Sequence, residues 1–401
     1  FNTEAVMARR KRKSSAVIAI VLVIILVAVF VGGWYLYTYQ RPIFDEIYNT
    51  ILGKKDNETP GEPDKPPVIV DGELSIHFLE LGNNYSGDCI YIKAGDTDIL
   101  VDAGSRAGSV DTIQTYLKDY VKDDILEYVV VTHADQDHIA GFGASKSIFD
   151  LYECKTIIQF ARSNKEKDPT KIYNSYKTKR DAEVAAGAVC YTALECYRET
   201  NGAKKTYQLS DDVTMNILYQ EFYENSSSDE NNYSVCFLLT HGDRNFLFTG
   251  DLEKEGEKSL VENNDLPEVE LFKAGHHGSP TSSNDTLLSV IKPKIVCVCC
   301  CAGSVEYTQN SANTFPSQAF INRIAIYTDK VYVTTMVNVV FDAEKNKLKD
   351  APPRELLNGN IVVSSGKEGI NVNCTNNNTV LKDTEWFKNN RTLPDAWKAA
   401  A

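Results

Sequence analysis

From about Val68 onward, the chain is a succession of short apolar runs, each closed by a polar break. The runs are LSIHFLEL (74–81), CIYIKA (89–94), TDILVDAG (97–104), LEYVVVTH (126–133), KTIIQFA (155–161), VTMNILYQ (213–220), YSVCFLLTH (233–241), NFLFTGD (245–251), VELFKAGHH (269–277), PKIVCVCC (293–300) and KVYVTTMVNVVFD (330–342). They have strand length and are rich in β-branched and aromatic residues. Helical spacing appears between them in SVDTIQTYLKDYVK (109–122), SSNDTLLSVIK (282–292) and FPSQAFINRI (315–324). In the second of these, Ser282 or Ser283 is the expected N-cap. THGDRN (240–245) reads as a hairpin turn, and YENSSSDENN (223–232) as a surface loop. Many strands with interspersed helices predict one α/β domain over 68–365, with two layered sheets covered by helices. Residues 366–401 then form a C-terminal tail with one or two late strands.

The N-terminal pattern differs. Arg9, Arg10, Lys11, Arg12 and Lys13 precede a stretch, Ser14 to Gln40, without a charged residue. That stretch is long enough to cross a bilayer core of roughly 30 Å at about 1.5 Å per residue. Trp34, Tyr35, Tyr37 and Tyr39 sit at its far end, as an interfacial belt would. The expectation is a cytoplasmic tail (1–13), a single transmembrane helix (14–40) and a juxtamembrane segment with a Pro-rich linker (41–67). The catalytic domain would then lie outside the cell membrane. A cleaved signal peptide is the competing reading, but Val31-Gly32-Gly33 makes a poor cleavage site.

The formal net charge of −13 argues against tight binding of duplex DNA over a wide face, which needs clustered Lys and Arg. It leaves open a metal site that handles phosphate, because bound cations set the local sign. There are ten cysteines. Cys297, Cys299, Cys300 and Cys301 crowd one apolar run and lack zinc-ribbon spacing, so they read as small buried side chains. Cys190 and Cys196 are close enough in sequence to pair.

The candidate chemistry lies at the ends of three apolar runs. THADQDH brings His133, Asp135, Asp137 and His138; LFTGD brings Asp251; KAGHHGS brings His276 and His277. Four of the chain's six histidines fall in two of these clusters. Imidazole and carboxylate groups delivered together at strand ends suit a divalent metal.

THADQDHIAG, LFTGD and KAGHHGS, in that order, resemble the metallo-β-lactamase superfamily. More narrowly, they resemble its ComEC-type members, which carry Asp at the position of Asp135. LSIHFLELGNNYSGDCIYI and ILVDAG are similar to that group's opening strands, so the resemblance covers about residues 72–365. It implies an αββα sandwich with two divalent ions, Zn or Mn. His133 with Asp135 would serve one ion, and Asp137, His138 and His276, or His277 in its place, the other, with Asp251 bridging. Most members supply another His from the strand before the hairpin. This chain has Asn232 and Ser234 there, and Phe315 stands before Pro316 where similar domains often have His.

The resemblance implies a metal-bound hydroxide attacking a phosphoryl or carbonyl group. Asp137, His277 and Lys273 are the expected catalytic residues, with His277 first and Lys273 second as the donor to the leaving group. Asp102 and Asp88 are expected to orient ligands from behind. The expected function is a membrane-anchored, extracellular phosphodiesterase acting on nucleic acid or another small phosphodiester. A lactam or lactone hydrolase and a degenerate binding module are the alternatives. The sequence leaves the oligomeric state open.

Overall fold

The computed structural model describes residues 72–398. The expected basic tail, membrane span and linker lie outside the described residues. Among the described residues, no helix is long and apolar enough to cross a membrane.

The strands are β1 (Gly72–Phe78), β2 (Ile90–Ala94), β3 (Thr97–Val101), β4 (Ile125–Val131), β5 (Glu153–Gln159), β6 (Val189–Thr192), β7 (Thr206–Gln208) and β8 (Val213–Leu218). They continue with β9 (Cys236–His241), β10 (Arg244–Phe248), β11 (Leu271–Lys273), β12 (Ile295–Ala302), β13 (Val331–Asp342), β14 (Lys347–Leu356), β15 (Ile361–Gly366) and β16 (Gly369–Cys374). They form two eight-stranded sheets. The first has the order β16-β15-β1-β2-β3-β4-β5-β6, and the second β14-β13-β12-β11-β10-β9-β8-β7. As THGDRN predicts, β9 and β10 pair as an antiparallel hairpin. β3 pairs with β4 in parallel, and β10 with β11 in parallel, so each pair delivers its C-terminal ends to one rim.

Side-chain alternation explains the layering. In β12, Cys297 and Cys299 join the core that Ile76, Phe78, Phe237 and Phe248 build between the sheets. Val296, Val298, Cys300 and Ala302 face the other way, against Leu287, Leu288, Phe320 and Ile321 of the covering helices. A period of two puts alternate residues on opposite faces, and both faces of this strand are dry. All ten cysteines are free thiols, Cys190 and Cys196 included.

Several expectations are corrected. The helix expected over 282–292 runs from Asp285 to Ile291, with Asn284 rather than Ser282 or Ser283 at its N-cap. Ser283 sits at φ +57° and is turned toward other partners. A 16-residue helix, Lys171–Ala186, had no clear sequence signal, because only Tyr173 and Tyr176 on it are buried. The boundary drawn at 365 is not one in the fold. The β15–β16 hairpin crosses it, β15 pairs with β1, and Trp386, Phe387 and Trp397 are buried in the second core. The stretch 223–232 carries short 3-10 turns, with Glu230 and Asn232 buried.

Candidate metal centre

Four strand ends meet at the shared rim. β3 runs into Asp102, β4 into Thr132 and His133, β10 into Asp251, and β11 into the Gly275–Gly278 turn. The short helix Gln136–Ile139 then carries Asp137 and His138 back over the rim.

His138 is oriented from behind. Its Nδ1 lies 2.7 Å from Asp102 Oδ2, and both residues are fully buried. Asp102 is itself held by the Thr132 backbone N–H (2.8 Å) and hydroxyl (2.7 Å). Those bonds support its left-handed backbone, φ +56°. A carboxylate at Nδ1 keeps the proton there and leaves the Nε2 lone pair facing the site. That Nε2 is 3.1 Å from Asp251 Oδ2.

The HHG turn sorts the two histidines. His276 and His277 have φ +45° and +53°, so the chain coils left-handed through both. His277 points inward. Its Nδ1 donates to the Cys299 carbonyl at 2.8 Å, and Asp88 Oδ1 lies 3.2 Å from the same nitrogen. Its Nε2 faces Asp137 Oδ2 at 3.3 Å and Asp251 Oδ2 at 3.2 Å. His276 stands at the rim with its Nδ1 3.2 Å from Glu253 Oε1.

Asp137, His138, Asp251 and His277 therefore form the converging set, with one ligand atom from each within 4.8 Å of the others. Of the two histidines that could serve as the ligand, the turn directs His277 inward and leaves His276 at the rim. His277, also the first expected proton donor, turns its Nε2 to the Asp137 and Asp251 carboxylates. The second expected donor, Lys273, is enclosed by acceptors. Its buried Nζ is held by Asp88, by Asp251 Oδ1 at 3.1 Å and by the Gly250 carbonyl at 3.1 Å. Burial works against its charge, but Asp88 and Asp251 push its pKa well above the ordinary lysine range. It keeps its proton and acts as a fixed cation. Asp102 lies behind His138, and Asp88 lies between Lys273 and His277 Nδ1.

The other expected pair is more open, although the His133 ring centroid lies 4.1 Å from that of His138. His133 Nε2 is 3.7 Å from Asp135 Oδ2, and no third His, Cys, Asp or Glu atom converges on them among the described residues. Asp135 Oδ1 instead meets the Lys165 ammonium at 2.9 Å. A second grouping, Asp88, Asp102 and His138, is already satisfied through Lys273 and the Asp102–His138 hydrogen bond.

The donor set fits one divalent cation. Two imidazole nitrogens and two carboxylates are an ordinary ligand complement for zinc and related ions. The buried His277 Nε2 is near two carboxylate oxygens but makes no well-aligned hydrogen bond to either. Asp88, Asp102, Asp137 and Asp251 are four buried acidic groups set among Lys273, His138 and His277, so acidic groups outnumber basic ones and a cation suits the set. Burial disfavours the charged forms of His138 and His277, yet Asp251 and its neighbours raise both well above the ordinary imidazole range. Burial also opposes ionisation of Asp137, but His277 and His138 hold its carboxyl well below the usual carboxylate range.

A cleft of about 420 Å³ opens above Asp137, lined by Arg106, Asp135, Gln136, Asn231, His276, Glu306 and Tyr307. The Tyr307 hydroxyl donates to Asp137 Oδ2 at 2.5 Å. Arg106 pairs with Glu306 at 2.6 Å and lies 3.8 Å from the centre of the Tyr85 ring. Sequence reasoning missed Tyr307, Arg106, Glu253 and Lys165. They sit on connecting segments with no motif around them, and only the fold brings them to the rim.

Residues 82–155 and 229–302 match the family model of the metallo-beta-lactamase superfamily. ComE operon protein 3 of Bacillus subtilis (strain 168) is 26% identical over 176 residues, covering 42% of this chain and 19% of that protein. Competence protein ComA of Neisseria gonorrhoeae is 22% identical over 273 residues, covering 68% of this chain and 32% of that protein. The chain thus spans about a fifth to a third of the length of these ComEC-type relatives. Among solved structures, the metallo-beta-lactamase fold protein YhfI from Bacillus subtilis is similar at 13% identity. That match covers 68% of this chain and 90% of the other, with a TM-score of 0.36.

Proposed function

We propose that this chain, which carries a metallo-β-lactamase superfamily domain of ComEC type, is a metal-dependent hydrolase of phosphodiesters. The observation that carries the reading is the convergence of Asp137, His138, Asp251 and His277, of which Asp137 reaches the wall of a cleft. These four would hold the ion. When bound, it supplies Lewis acidity and lowers the pKa of a coordinated water toward about 7.

The remaining residues do the positioning. Asp102 fixes the His138 ring, and the Cys299 carbonyl fixes the His277 ring. Lys273 ties down Asp251 Oδ1, which leaves Oδ2 turned to the histidines. Asp137 is held between His277 and the Tyr307 hydroxyl. The cleft has the volume of a small-ligand site, within the usual ~300–1,000 Å³ range. Arg106 in its lining and Lys165 beside Asp135 are both matched by carboxylates. Together with the chain's charge of −13, this favours single strands, nucleotides or envelope phosphodiesters over duplex DNA. The uncharged stretch 14–40 would anchor the chain in the cell membrane with the domain outside.

The test is turnover of a chromogenic phosphodiester and of single-stranded DNA by the purified chain supplied with Mn²⁺ or Zn²⁺. Hydrolysis that disappears in His138→Ala supports the reading. A metal-loaded chain that cleaves neither substrate overturns it in favour of a binding module. Faster turnover of a chromogenic lactam would point to carbonyl chemistry instead.

A further inference from the structure

We infer that this centre takes one metal ion, and that the Lys165 ammonium stands where a second ion would need Asp135. The inference rests on the metal-centre reading above, but it concerns the other half of the rim.

The His133–Asp135 pair is a poor cation site as built. His133 is fully buried, and its Nε2 has no hydrogen-bond partner. That nitrogen is a donor aimed into the rim, but its nearest carboxylate oxygen is 3.7 Å away. The neighbouring segment adds no free ligand. Asn232 is used by Ser227 and by the Glu253 backbone N–H, and Ser234 Oγ accepts from the Asp251 backbone N–H at 3.0 Å. His133 and Asp135 supply only two donors, so a second ion there would also have to share Asp251 as a bridge and would need Asp135 free.

The charge on Asp135 is already matched. Lys165 Nζ lies 2.9 Å from Asp135 Oδ1, with both side chains about a third exposed. This placement is built rather than incidental. The Lys165 backbone N–H donates to Ser163 Oγ at 3.0 Å, and the Asn164 N–H donates to Glu230 Oε2 at 2.8 Å. The Tyr233 hydroxyl donates to Asn164 Oδ1 at 3.2 Å. The segments 163–166 and 227–233 therefore lock together and aim the lysine at Asp135. An ammonium 2.9 Å from Asp135 offsets that carboxylate's charge and weakens what it can offer a divalent cation beside it.

The experiment is metal stoichiometry of the full chain, equilibrated with Mn²⁺ or Zn²⁺ and read by elemental analysis and calorimetry without any substrate. The native chain and Lys165→Arg are expected to hold one ion per chain, and Lys165→Met to hold two. Asp135→Asn is expected to keep one, because the occupied centre does not use that carboxylate. Two ions in the native chain, one in a folded Lys165→Met, or none in Asp135→Asn would each overturn the inference. No turnover enters the measurement. A chain that binds one ion but cleaves no phosphodiester would sink the hydrolase reading and leave this one standing.

Discussion

His276 and His277 are neighbours in sequence, yet their ring centroids are 5.9 Å apart and their planes cross at 69°. Only His277 reaches Asp137 and Asp251; His276 is tied to Glu253 at the mouth. Substituting them should therefore separate two effects. His277→Ala removes one of four ligand positions. It should strip the metal and reduce activity by more than the ~10–100-fold typical of losing a supporting residue. His276→Ala should retain the ion, with a loss inside that range. Elemental analysis of both variants beside phosphodiester turnover decides the matter. Metal loss in His276→Ala with retention in His277→Ala would reverse the assignment.

Asp102 acts through His138, so its substitution should be felt as weakened metal binding rather than misfolding. Asn keeps the acceptor for the Thr132 backbone N–H. It no longer presents a carboxylate to His138 Nδ1, which favours the tautomer with its proton on Nε2, where the ion needs a lone pair. Asp102→Asn should lower metal affinity by about 10–100-fold. Competition with a chromophoric chelator reads the affinity, and circular dichroism should be unchanged. Native affinity in the variant would mean that Asp102 does not orient the ring.

Much of this centre was legible because strand ends carry their own signal. An apolar run that stops at His, Asp or Gly-Asp announces both the element and the group it delivers, as at His133, Asp251 and the His276–His277 pair. What the sequence could not resolve was which of two adjacent histidines turns inward. That depends on two consecutive left-handed residues in a turn, and no side-chain pattern encodes it. Nor could it place Lys165 or Tyr307, whose partners Asp135 and Asp137 are 30 and 170 positions away. The pairing of β15 with β1 is missed for a related reason. A late strand shows its apolar face in sequence, but not the distant edge it will complete.

Gly104 marks where three segments of the site touch through backbone alone. Its N–H donates to the Asp88 carbonyl at 2.8 Å, while the Asp88 N–H donates to the Asp137 carbonyl at 3.1 Å. A Cβ at this position would sit 1.6 Å from the Asp137 carbonyl oxygen and 2.9 Å from the Asp88 nitrogen. Neither neighbour is a side-chain tip that can swing aside. Gly104→Ala should therefore cost more than about 4 kcal/mol, in the range reserved for core disruption. It should also displace Asp137 from the metal centre. Urea unfolding with elemental analysis tests both, and a variant of native stability would show that the loop yields.

Glu257 sets a pH dependence away from the metal. It is fully buried, and it accepts from the Ser283 N–H (2.5 Å), the Asn284 N–H (2.8 Å) and Asn284 Nδ2 (2.9 Å). Ser283 Oγ in turn accepts from the Gly275 N–H at 3.2 Å, so Glu257 braces the turn that carries His277. Burial raises its pKa from 4.5 to about 7, against the hydrogen bonds from Asn284 and Ser283, which favour the carboxylate. A folded pKa above the unfolded value means that the native state binds the proton more tightly. The resulting stabilisation is complete below about pH 4.5 and is lost as pH rises through about 7. At 1.36 kcal/mol per unit the loss is about 3 kcal/mol. Glu257→Gln carries no titrating group there. The stability of the native chain relative to this variant should fall by about that amount between pH 4 and pH 8, as read by urea unfolding at fixed salt. A difference that stays flat across this window would mean that Glu257 is ionised in the fold throughout, with the turn's N–H groups outweighing its burial.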